Sequence, residues 1–219
     1  MADQEPETMA WWQKAQKYEC QSHLDYMAEN GDHLPSKGFG EFYDDDEVVR
    51  QELFEHIKDK VCLEMGCGPC PIITGWTARK RIIVEPLLQH YQQRMHLPGE
   101  LILVGEAGEI ALPRFAGAVD GALITRNCID HSEDPLLLFD LFLDCGAPGC
   151  WLMHWCEIWH HLGVDEGHRQ ITKDRGVMRS RVEAKGYHIR REFSVYDGET
   201  PRNPGGNALD WGCLAIKRN

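Results

Sequence analysis

The chain has 219 residues, 42% of them hydrophobic, 26% charged and 9% aromatic; this fits one globular domain and excludes disordered or collagen-like chains. A formal net charge of −12 repels phosphate backbones at long range and disfavours nucleic acid as a partner. The opening MADQEPETMA is acidic with no basic and then apolar run, and the longest apolar stretch, Leu136 to Leu143, is broken by Asp140, so neither a secretory leader nor a membrane contact is expected and the chain reads as cytoplasmic.

In chain order, residues 11–30 (WWQKAQKYECQSHLDYMAEN) carry helix formers throughout, and Gly31 follows as a stop. The acidic EFYDDDE at 41–47 reads as a turn ahead of a second helix over 47–58, whose Val48, Val49, Leu53, Phe54 and Ile57 recur at helical spacing. From residue 60, short apolar runs alternate with helical segments. Val61–Leu63, Ile82–Val84, Leu101–Val104, Gly121–Thr125 and Trp151–Trp155 predict five strands of a parallel sheet. Asp134 as N-cap, Pro135 at the first helical position, LLLFDLFLDC and a closing Gly146 predict a buried helix. Residues 173–185 predict another helix, stopped by Gly186; 187–196 and 209–217 predict two strands joined across a Pro/Gly-rich turn at 201–206.

The expected fold is therefore α/β: a doubly wound, mostly parallel seven-stranded sheet with helices on both faces, an antiparallel last strand and an N-terminal helical extension. Residues 1–46 form the extension or lid, and 47–219 the ligand-binding domain. In such a sheet the ligand site lies at the carboxyl ends of the strands. Nine cysteines default to reduced thiols, and several, such as Cys62 and Cys213, sit in apolar runs where cysteine acts as a small hydrophobe.

Residues 64–71, EMGCGPCP, admit two readings. Cys67-Gly68-Pro69-Cys70 resembles the thioredoxin active site, which needs Cys67 at a helix N-terminus with a depressed pKa. Glu64-x-Gly66-x-Gly68, directly after an apolar strand, instead lets backbone N–H groups approach a nucleotide-like ligand. An acid at the end of the next strand, Glu85 in IIVEP, then accepts hydrogen bonds from ribose hydroxyls. The dithiol reading leaves Glu64, Gly66 and Glu85 unexplained. A Rossmann dehydrogenase fingerprint would need a third glycine where Pro71 stands.

Residues 60–155 resemble a class I S-adenosylmethionine-dependent methyltransferase. VCLEMGCGP is similar to that family's first motif and IIVEP to its second; LILVGEAGEIALP resembles its third-strand stretch and VDGALITRNCIDHSEDP its fourth-strand motif. CGAPGCWLMHW resembles the segment entering and including the fifth strand, with Ala147-Pro148-Gly149 where the family more often has two adjacent glycines. The resemblance implies S-adenosylmethionine as cofactor. Gly66 and Gly68 would let the chain turn beneath its methionine part, with Glu64 orienting the loop or meeting the ammonium group through water. Glu85, with Pro86, would hold the ribose; Glu106 and Ala107 would border the adenine. Asn127 and Cys128 would face the cofactor from the fourth strand, Cys128 reading equally as an apolar filler.

In methyl transfer the protein chiefly positions a nucleophile and, where needed, takes its proton. His131, four residues past Asn127, and His168 are the candidate catalytic groups, because an imidazole suits deprotonation of a hydroxyl or amine near neutrality. His131 also reads as a helix cap or as packing on the adenine. The segment 154–168 (HWCEIWHHLGVDEGH) is expected to cover the acceptor pocket and supplies His160 and His161 as candidate acceptor contacts; Trp12 on the N-terminal helix is another. Cys156-x3-His160-His161 lacks the paired spacing of a structural zinc site, and no metal ligands are assigned. A small-molecule acceptor methylated on oxygen or nitrogen is expected. The alternatives are an RNA or protein acceptor held by the basic 173–191 segment, a non-catalytic cofactor-binding module, or a thiol redox protein using Cys67 and Cys70.

Overall fold

The computed structural model describes residues 7–30, 46–69, 71–91, 101–160, 168–195 and 208–218. Its layering follows from strand alternation, successive side chains pointing to opposite faces. On β1 (Val61–Met65), Val61, Leu63 and Met65 enter one apolar cluster, while Cys62 enters the other, with Leu53 and Ile57 of the helix Glu47–Ile57. The same division continues on β2 (Lys80–Val84), where Ile82 and Val84 face the first cluster and Ile83 the second. Both faces are buried, as a parallel sheet requires.

With β3 (Leu101–Val104), β4 (Ala122–Arg126), β5 (Trp151–His160), β6 (Tyr187–Phe193) and β7 (Ala208–Lys217), the strands form one sheet in the order β3-β2-β1-β4-β5-β7-β6. β1 to β5 pair in parallel, and β7 runs antiparallel to both β5 and β6. The chain winds outward from β1 to β3, then returns to place β4 on the other side of β1. That reversal opens a crevice at the carboxyl ends of β1 and β4.

Helices are numbered α1 (Glu7–Asn30), α2 (Glu47–Ile57), α3 (Leu88–Tyr91), α4 (Gly108–Ala111), α5 (Pro135–Asp144) and α6 (Arg175–Ala184). Asp134 caps α5 as expected, accepting the Leu137 N–H at 3.0 Å, a contact worth ~1 kcal/mol. Phe139, Phe142 and Leu143 of α5 are fully buried in the first cluster. Asp174 caps α6, and Gly186, at φ +85°, follows its end. No described helix is long and apolar enough to cross a membrane. The turn at 201–206 and most of the acidic stretch at 41–47 lie outside the described residues.

The fifth strand departs most from expectation. Predicted to end at Trp155, it runs to His160, because β7 pairs with it from Trp151↔Ile216 to His160↔Ala208 across a bulge between Glu157 and Trp159. His154 and Cys156 therefore point into the core instead of covering a pocket. His154 lies between the rings of Phe139 and Trp211, and burial pushes its pKa down to about 3, so the imidazole is neutral there.

Candidate active site

β1 leads into Gly66 at φ +65° and Gly68 at φ +55°, the left-handed backbone that favours glycine. At Gly66 space is also required: a Cβ would lie 2.2 Å from Cys128 Cβ and 2.3 Å from its Sγ. The Cys128 thiol donates to the Met65 carbonyl (3.3 Å) and is hydrogen-bonded with the Thr125 hydroxyl (2.8 Å). It therefore fills the floor under the glycine turn and also lines the crevice.

Two buried carboxylates fix this turn. Glu64, 2% exposed, accepts the N–H groups of Ile72 (2.8 Å) and Ile73 (3.0 Å), which begin the 3-10 turn Ile72–Gly75. Glu85, 5% exposed, accepts the Gly68 N–H at one oxygen (2.9 Å) and the Leu87 N–H at the other (3.0 Å). One side chain thus ties the glycine loop to the turn after β2, with acceptor capacity left on each oxygen.

These groups line a cavity of about 360 Å³, within the size range of small-ligand sites. Of the expected residues, Glu64, Gly66, Gly68, Glu85, Pro86, Asn127, Cys128 and His131 all line it. Asn127 holds its position at φ +45° by accepting the Glu157 N–H (3.0 Å), while its own N–H donates to the Trp155 carbonyl (2.7 Å). Glu106 and Ala107 stand at the tip of β3, outside this cavity. Glu106 pairs with Arg114 at 2.8 Å, and Ala107 precedes α4. His160 ends β5, its backbone bonded to the Gln170 side chain, and does not line the cavity. The Trp12 side chain and all of His161 lie outside the described residues.

Sequence reasoning missed Gln16, Glu19 and His23 of α1, and Arg126 and Trp155 of the sheet, all of which line the cavity. The signal for the first three is present in the sequence, since residues 16, 19 and 23 share one helical face, but the aromatic residues of that helix are its more conspicuous feature. His168 lies beside His131, the rings tilted by 50° with centroids 4.3 Å apart, above the buried Asp130. Burial raises the Asp130 carboxyl against the opposing pull of His131 and His168. Burial also raises Glu19, but its hydrogen bond with His23 and the charges of His131, His23 and His168 outweigh that and leave it lowered.

Burial pushes the Glu64 carboxyl up to about 7, against the lowering effect of the Ile72 and Ile73 N–H groups. A raised folded-state pKa stabilises the protein fully below the unfolded value of 4.5, and that contribution is lost as pH rises through about 7. The loss is on the order of 3 kcal/mol, from the size of the shift. In urea titrations, Glu64→Gln should gain stability relative to the wild type as pH is raised from 5 to 8. A gap that is constant with pH would contradict this.

Cys67 lacks the electrostatics of a redox nucleophile. Burial pushes its thiol well above the usual range, and the Glu85 and Glu64 carboxylates push it further, whereas a reactive cysteine needs a depressed value. Cys70 lies outside the described residues.

No family model and no curated protein matches this sequence. Among solved structures, a protein described as a sarcosine dimethylglycine methyltransferase from Galdieria sulphuraria aligns with a TM-score of 0.63 at 13% identity, covering 90% of this chain and 98% of that one. The [4+2]-cyclase SpnF aligns at 0.61 and 14% identity over 94% and 96% of the two chains. A protein described as an S-adenosylmethionine-dependent methyltransferase from Listeria monocytogenes aligns at 0.57 and 12% identity over 78% and 97%. The chain has the class I Rossmann-like methyltransferase fold.

Proposed function

We propose that the protein is an S-adenosylmethionine-dependent methyltransferase acting on an oxygen or nitrogen of a small-molecule acceptor, with residues 1–46 serving as its lid. The observation that carries this reading is the Glu85 carboxylate, bound to the glycine loop and still facing the cavity at the sheet's reversal point. The residues fit the group: Glu85 suits vicinal hydroxyls, the bare turn at Gly66 and Gly68 admits close backbone approach, and Arg126 in the wall suits a carboxylate. Bound there, S-adenosylmethionine supplies a sulfonium-activated methyl group and leaves as S-adenosylhomocysteine.

The chain's own work is to orient and to move one proton. Glu64 and Glu85 brace the loop, so its turn is formed before the ligand arrives. Gln16, Glu19 and His23 of α1 line the same cavity, so the helix restricts water at the reacting end. In this reading His131 takes the acceptor's proton, with Asp130 behind the ring and Glu19 in front of it supporting the role. His168 beside it is the second candidate.

A small molecule suits this enclosure better than a polymer. The basic segment that favoured RNA or protein has Arg179, Arg181, Lys185 and Arg190 paired with Glu192, Asp140, Asp144 and Glu52, and Arg175 beside Asp210. The test is incubation with methyl-labelled S-adenosylmethionine and panels of hydroxyl and amine acceptors. Labelled product with an equal amount of S-adenosylhomocysteine is expected. Tight cofactor binding with no turnover on any panel would instead favour the non-catalytic binding module.

A further inference from the structure

We propose that Glu19, His131 and His168 form a site for one divalent transition-metal ion, with Asp130 as the carboxylate behind both imidazoles. One potential ligand atom from each of the three lies within 4.8 Å of the others. They come from three separate places: α1, the 3-10 turn Ile129–His131 after β4, and the segment following β5. Glu19 and His131 also line the cavity.

The positions of the individual atoms suit coordination. Oε2 of Glu19 lies 3.8 Å from His131 Nδ1, while its Oε1 is held at 2.8 Å by His23 Nε2. The other ring nitrogen of His23 is hydrogen-bonded with the Tyr91 hydroxyl at 2.7 Å. One oxygen of Glu19 is thus anchored and the other faces the histidine pair. On the far side, His131 Nε2 lies 3.9 Å from Asp130 Oδ1, and His168 Nε2 lies 3.9 Å from Asp130 Oδ2.

The second, independent observation is Asp130 itself. It is 3% exposed, and its Oδ1 has no hydrogen-bond partner among the described residues. A metal-bound histidine almost always donates its remaining ring N–H to a carboxylate, carbonyl or water. A buried carboxylate set behind two imidazoles supplies that acceptor twice. Charge agrees, because metal ligation requires neutral imidazoles, so the two carboxylates are balanced by a divalent cation.

Two imidazoles and one carboxylate suit zinc or ferrous iron better than magnesium or calcium, which prefer oxygen ligands throughout. Bonds of ~2.0–2.2 Å put neighbouring ligand atoms roughly 3–3.5 Å apart, so the three side chains draw together around the ion. Three protein ligands leave a coordination position for the acceptor. An alcohol or phenol bound there would lose its proton more easily, to a water molecule at the cavity mouth, because the two histidines would hold the ion instead of receiving that proton. This part rests on the methyltransferase reading and narrows its acceptor to oxygen.

The test is titration of Co²⁺ into chelator-treated protein without cofactor. Expected are visible d–d bands saturating at one ion per chain, reversed by Zn²⁺, and no thiolate-to-cobalt charge transfer. Glu19→Gln and His168→Ala should each weaken Co²⁺ at least ~10-fold, and Asp130→Asn by ~10–100-fold. Circular dichroism and melting without metal should show each variant folded; Glu19→Gln, on the more exposed α1, keeps the test valid if the others do not fold. Charge-transfer bands, which would put the ion on cysteine, or wild-type Co²⁺ affinity in a folded Glu19→Gln, would overturn the site. Calorimetry with S-adenosylhomocysteine on the same sample separates the two ideas: cofactor binding without cobalt binding rejects only the metal site, and the reverse rejects only the methyltransferase.

Discussion

Gly66→Ala should abolish measurable cofactor binding and cost about 2–5 kcal/mol of stability. Two penalties add. An L-residue in the left-handed region costs ~1–2 kcal/mol, and Gly66 sits at φ +65°. Overpacking costs ~1–3 kcal/mol, and the new methyl would meet Cys128 Cβ at 2.2 Å. Cys128 has little room to yield, since its thiol is hydrogen-bonded to the Met65 carbonyl and the Thr125 hydroxyl. The double variant Gly66→Ala, Cys128→Gly removes the obstructing atoms but leaves the backbone strain. Compared with Cys128→Gly alone in urea titrations, it should show only the backbone penalty. A single Gly66→Ala variant with wild-type stability and affinity would show that the turn does not have the described conformation.

The second large effect belongs to Glu85. Replacing it with alanine leaves the Gly68 and Leu87 N–H groups without their acceptor, each loss worth ~1–3 kcal/mol when the group stays buried. It also removes the proposed ribose anchor. Affinity for S-adenosylhomocysteine should fall by about 100-fold or more. Loop damage and lost ribose contact can be separated with an analogue lacking the ribose hydroxyls. The wild type should prefer the natural nucleoside by ~10–100-fold, at the ~1.5–3 kcal/mol expected of hydrogen bonds to a charged group. Glu85→Gln should lose most of that preference. Equal discrimination in both proteins would leave Glu85 as a loop brace only.

What the sequence made legible were features with local causes. The strands showed as apolar runs, α5 through its Asp134 cap and Pro135, and the glycine turn through spacing alone. The crevice at the end of β1 followed from the order of those elements. Features set by distant partners were not legible. β5 gained its last five residues from pairing with β7, which put Cys156 into the core instead of over a pocket. The cluster of Glu19, His131 and His168 joins residues from three distant parts of the chain, and no sequence spacing announces it. At the CGPC tetrapeptide, burial first, and then the Glu85 and Glu64 carboxylates that organise the loop, push the Cys67 thiol upward, the opposite of what a reactive dithiol needs.

The most direct test is calorimetric titration of S-adenosylhomocysteine into the wild-type chain and into Glu85→Ala, both verified as folded by circular dichroism. Saturable binding at one site is expected in the wild type, accompanied by a higher melting temperature, and little or no heat in the variant. A folded wild type showing neither heat nor a melting shift at high ligand concentration would contradict it.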